Sequence, residues 1–124
     1  MSTILLSIKP EYANRIFLGQ KKYEFRKRLA NKKIDKIVVY SSSPVQKVIG
    51  EVAVTDTLSM RPTPLWEATK NAAGISRGKY REYFAGCKMA SAYKLGDAKL
   101  YNTPRSLLDY EIHTAPQSFV YLKK

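Results

Sequence analysis

Apolar and polar positions divide the chain into short segments of differing period. "TILLSI", from Thr3 to Ile8, is aliphatic and β-branched and reads as a strand. It stops at Pro10, whose fixed φ suits the first turn of a helix. In "PEYANRIFLG", Tyr12, Ala13, Ile16 and Phe17 recur at helical spacing. Glu11 falls where the helix dipole favours a negative charge, and Gly19 supplies a left-handed stop. "KYEFRKR" then alternates, so as a strand it sets Tyr23 and Phe25 on one face and Lys22, Glu24, Arg26 and Arg28 on the other.

Beyond this, "LANKKIDK" is polar and turn-like, and "KIVVYSSS" reads as a buried strand that breaks in a serine run before Pro44. "VIGEVAVTDTLS" alternates again, which predicts an antiparallel pair with its predecessor. In "TPLWEATKNAAG", Thr63 is the expected cap, Pro64 the first helical residue and Gly74 the stop. "SRGKYREYFAG" repeats that pattern from Ser76 to Gly86, with Tyr80, Tyr83 and Phe84 as its buried stripe. "MASAYKLGDAKLY" predicts a strand, "TPRSLLDY" a turn of helix capped at Thr103, and "QSFVYL" a closing strand. Strands and short helices that do not alternate regularly argue for an α+β domain on a mixed or barrel-like sheet, rather than a doubly wound one.

A length of 124 residues fits a single domain, 1–124, able to bury a core without cross-links. Lone Cys87 and lone His113 read as structural, and they exclude a disulfide and a Cys/His metal site; no metal and no organic cofactor is expected. Cysteine usage fits a cytoplasmic protein. No apolar run suffices to cross a membrane, and the first residues do not form a signal peptide. Charge changes the picture most. Twenty-two Lys and Arg against ten Asp and Glu give a net charge of +12. Half of that excess lies between Lys21 and Lys36, which makes a polyanion the expected partner.

Gly19, Lys21, Glu24 and Arg26 stand in the spacing G-x-K-x-x-E-x-R. With "ILLSIKPEYANRIFLG" before it, "IVVYSSSPVQKVIGEV" after it and the terminal "PQSFVYL", this stretch resembles the small stand-alone ASCH proteins of the PUA-like superfamily. The resemblance implies a PUA-like β-barrel of five or six mixed strands with short helices closing its ends. It also implies a cleft lined by the motif, with RNA or a modified nucleotide as ligand. Some members of the family are ribonucleases, and one branch hydrolyses the acetyl amide of acetylcytidine. That branch pairs the motif lysine with a threonine nucleophile, a position that holds Glu24 here. A transcription-associated interaction module with a protein partner is a third, weaker implication of the family's naming.

Several side chains are candidates for ligand contact. Lys21 and Arg26 suit phosphate or base acceptors, while Glu24 suits an orienting partner of Arg26 or a general base. If the protein is an enzyme, a metal-independent ribonuclease or amidohydrolase, Lys21 and Glu24 are its expected catalytic residues. Lys9 adds charge at the same end of the sheet, and Ser41, Ser42 and Ser43 offer hydroxyls. Tyr40 and Trp66 read either as core or as a stacking wall, each stacked base contributing roughly 1–3 kcal/mol. Arg77, Lys79 and Arg81 read either as a phosphate track or as a solvated helix face.

Overall fold

A computed structural model describes residues 2–122. Six strands, β1 (Ser2–Ile8), β2 (Tyr23–Arg26), β3 (Ile34–Ser41), β4 (Lys47–Met60), β5 (Ala90–Arg105) and β6 (Phe119–Leu122), form one mixed sheet in the order β2-β5-β4-β3-β1-β6. Only the β1–β3 pair is parallel, with Leu5 beside Val38. The other neighbours are antiparallel, including the expected β3–β4 pair. No helix among the described residues is long and apolar enough to cross a membrane.

The continuous apolar runs of β1 and β3 follow from burial on both faces. Ile4, Leu6, Ile8, Ile37 and Val39 enter a core shared with Ala13 and Ile16 of helix α1 (Pro10–Phe17), whereas Leu5, Val38 and Tyr40 enter a second core with Val48 and Tyr101. A third core lies beneath the helical segment between β4 and β5. There Phe25 of β2 packs with Leu65 of α2 (Pro62–Thr69) and Tyr80 of α3 (Arg77–Tyr83), beside Phe84. Phe25 meets Tyr80 edge to face at 5.1 Å, a geometry that aromatic quadrupoles favour.

The sheet is curved but not closed. Its edges, β2 and β6, do not pair, and three tyrosine hydroxyls secure the basic loop that crosses between them. Tyr83 on α3 accepts from the Lys27 amide at 3.3 Å, Tyr93 on β5 from Ala30 at 2.8 Å, and Tyr121 on β6 from Lys32 at 3.2 Å. Lys27 and Lys32 also lie over the rings of Tyr83 and Tyr121, respectively. Several tyrosines therefore hold a highly charged loop against the open side of the sheet.

Two helix starts differ from the sequence expectation. α2 begins at Pro62 rather than Pro64, with Arg61 rather than Thr63 at its start, because Pro62 already fixes the first helical φ. Thr103 remains within β5. The following 3-10 turn, Leu107–Tyr110, is capped by Ser106, which exchanges hydrogen bonds with Asp109 in a reciprocal box. Ser76 does cap α3, accepting from the Lys79 amide.

Candidate functional site

The site grows from the turn after α1. Gly19 adopts φ +80°, a left-handed conformation that glycine enters without a Cβ penalty, and the Gln20 and Lys21 amides both return to the Arg15 carbonyl. This reversal directs Lys21 inward. Its side chain is only 4% exposed, and its ammonium lies between the rings of Tyr12 and Phe25, 5.4 and 4.9 Å from their centroids. Three successive carbonyls dock the motif. Ala72 accepts from the Lys22 amide at 2.8 Å, Ala73 from Lys21 Nζ at 2.9 Å, and Gly74 from Arg15 Nη1 at 2.9 Å. Burial holds the Lys21 pKa below the ordinary lysine range; nearby Glu24 pulls it back up, and Arg26 and Arg15 push it down.

Glu24 and Arg26 lie two residues apart on β2 and share one face, as the alternation predicts. Arg26 donates from Nε and Nη2 to Glu24 Oε2 at 3.1 and 2.8 Å, and Nη2 also reaches the Ser7 carbonyl at 2.9 Å. This guanidinium thus neutralises a buried carboxylate and ties edge strand β2 to β1 across the open side. The pair is too well shielded to be an ordinary surface salt bridge.

Around this pair opens a cavity of about 680 Å³. Lys9, Lys21, Glu24, Arg26, Tyr40, Ser42 and Ser43 all line it. Ser41 does not; strand alternation turns it into the protein, where it is 1% exposed. Trp66 also lies elsewhere, packed 4.9 Å from Tyr80 and facing a separate cavity.

The cavity also recruits residues that the sequence reading did not single out for a ligand. Tyr12 comes from α1, Gln46 from the serine loop, and Pro116 and Gln117 from the segment before β6. Glu82 and Tyr83 come from α3, joined there by Lys79, which the sequence had already offered as part of a phosphate track or a solvated face; their i, i+3, i+4 spacing was a legible signal that the three share a face. Tyr83 is not part of the buried stripe: 37% exposed, it leaves Tyr80 and Phe84 to fill the core. Four cationic side chains line the cavity against two carboxylates, one of them already paired with Arg26. Such a surface can hold an anion beside aromatic rings and carbonyl acceptors.

A small curved mixed sheet with a cationic cavity at the G-x-K-x-x-E-x-R turn defines the class. The ASCH domain model matches residues 6–100, and the chain belongs to that family. It is 33% identical over 94 residues to an ASCH domain-containing ribonuclease of Zymomonas mobilis, a match spanning 75% of this chain and 64% of that protein. It is also 32% identical over 122 residues to an ATP synthase subunit alpha of Ureaplasma parvum, covering 98% of this chain. The chain spans only 15% of that relative. Among solved structures, the crystal structure of ASCH from Zymomonas mobilis superposes with a TM-score of 0.90 at 30% identity, over 98% of this chain and 88% of that one.

Proposed function

We propose that the protein binds single-stranded RNA, seating one nucleotide in the cavity around Lys21, Glu24 and Arg26. The carrying observation is the buried Lys21 ammonium in the wall of an open cavity whose lining is net cationic. Lys9 and Lys79, both exposed, contact the flanking phosphates, Arg26 and Lys21 present donors to the seated nucleotide, and Ser42, Ser43 and Gln46 supply adaptable polar contacts. Single strands suit a concave site, because their bases are free to leave the stack. Lys9→Glu with Lys79→Glu tests the assignment, since neither side chain enters the core. Loss of labelled RNA from a filter with an unchanged melting curve supports it; full retention refutes it.

Ribonuclease activity is the second reading, supported by the name of the Zymomonas relative and by the meeting of buried Lys21 and Glu24 in the cavity wall. In a metal-independent cleavage, a base removes the 2′-hydroxyl proton, the O2′–P bond forms and the P–O5′ bond breaks. The products are a 2′,3′-cyclic phosphate and a 5′-hydroxyl end. Lys21 would stabilise the extra charge on phosphorus, and Glu24 or a lining tyrosine would handle the proton. Fragments that form in chelator and vanish in Lys21→Ala support this reading, while intact RNA retained by the native protein leaves binding alone. For acetylcytidine hydrolysis, half-buried Ser42 and exposed Ser43 of the serine loop offer hydroxyls in place of the absent threonine, whereas the Ser7 hydroxyl in the same wall is engaged with the Pro116 carbonyl.

A further inference from the structure

α3 separates two cavities. At 3.6 residues per turn, Lys79, Glu82 and Tyr83 fall on one face and line the first cavity, while Arg77, Tyr80 and Arg81 fall on the opposite face and line a second one of about 410 Å³. Pro62, Thr63 and Trp66 of α2 complete the second cavity. Trp66 is half-buried, so part of its indole remains open to that space, and Tyr80 fixes the wall by donating its hydroxyl to the Pro62 carbonyl at 2.7 Å. Arg77 and Arg81 lie one turn apart and exposed, and neither forms an ion pair or a side-chain hydrogen bond among the described residues. The nearby Glu67 carboxylate is held by Lys70 at 2.8 Å.

A flat aromatic surface beside two free guanidinium groups matches one nucleotide, with its base on the indole and its phosphates on the arginines. The two faces of α3 are about 10–12 Å apart, the width of a helix with its side chains, and a few extended nucleotides bridge that span. We propose that the second cavity is a nucleotide subsite, occupied by the same single-stranded RNA that enters the first cavity after it crosses α3. The inference rests on the RNA-binding reading above and extends it: the ligand is an oligonucleotide several residues long, not a free nucleoside.

Trp66 is the only tryptophan in the chain, so its emission reports on this subsite directly. A labelled single-stranded RNA octanucleotide is titrated into the intact protein, following label anisotropy and Trp66 fluorescence in parallel. The expected result is quenching of Trp66 that saturates with the anisotropy. In Arg77→Gln with Arg81→Gln the quenching disappears, and the slope of log affinity against log salt becomes shallower by about 1.4, the value for two lost single-strand phosphate contacts. Binding with unchanged Trp66 emission overturns the subsite, as does a double variant whose salt slope equals the native one; both leave the first cavity as the RNA site. If the native protein binds no octanucleotide, the reading of the first cavity fails, and the subsite falls with it.

Discussion

Gly74→Ala isolates the contact on which the placement of Lys21 depends. Gly74 has φ +67°, and a Cβ built there overlaps the Lys21 Cβ and stands 2.5 Å from its Cγ and 2.9 Å from its Cα. The Lys21 Cα and Cβ are fixed by the backbone, so no side-chain rotation relieves those contacts. The substitution therefore incurs a left-handed backbone penalty of about 1–2 kcal/mol. Overpacking adds about 1–3 kcal/mol. Gly86 is the control, because its φ is +80° with nothing within 4 Å of a built Cβ. Gly86→Ala should cost only the backbone part, about 1–2 kcal/mol, with RNA affinity unchanged. Gly74→Ala should lose about 2–5 kcal/mol in urea unfolding and most of its RNA affinity, as Lys21 is forced off the Ala73 carbonyl. Equal losses in the two variants, with RNA affinity intact in both, would refute this account of how the lysine is held.

Further expectations follow from the same contacts. Removing Arg26 leaves the Glu24 carboxylate buried without its partner, so Arg26→Ala should lose about 3 kcal/mol in urea unfolding, and Glu24→Gln with Arg26→Met should recover part of it. Burial lowers the Lys21 pKa below the 10.5 of an unperturbed lysine. Between the folded value and 10.5 the unfolded chain binds more protons, so native stability rises with pH across that window. Unfolding curves of Lys21→Met should lack that rise; an identical pH dependence in both proteins would count against a buried ammonium. Tyr93→Phe deprives the Ala30 amide of its acceptor and should cost about 1 kcal/mol, with faster hydrogen exchange at Ala30. Unaltered exchange there would show that the hydroxyl does not secure the loop.

The strands were legible because their periods are simple. β1 read as a strand and β3 as a buried strand from their aliphatic runs, and β2 showed its two faces by alternation, which correctly grouped Glu24 with Arg26. The spacing of the motif located the turn that presents Lys21, although not its burial. That burial depends on the Ala72–Gly74 carbonyls, some fifty residues away, and a backbone acceptor leaves no mark in side-chain pattern. Gly74 was visible as a helix stop, but its close approach to Lys21 was not. Ser41 and Trp66 show the opposite limit. Residue type made each a reasonable ligand contact, yet alternation at the end of β3 turns Ser41 inward, and the path of α2 places Trp66 over a different cavity. The open edge of the sheet was equally hidden, since three tyrosine hydroxyls from α3, β5 and β6 converge on one loop only in the folded chain.

The most direct measurement of the central claim is photocrosslinking of single-stranded RNA containing 4-thiouridine to the native protein, with crosslinked peptides mapped by mass spectrometry. The account predicts attachment at cavity residues, Tyr12 or Tyr83 foremost, and its loss in Lys9→Glu with Lys79→Glu. Crosslinks confined to the middle of the β4–β5 pair, around Ala53 and Gly96, where its register shifts, would contradict it.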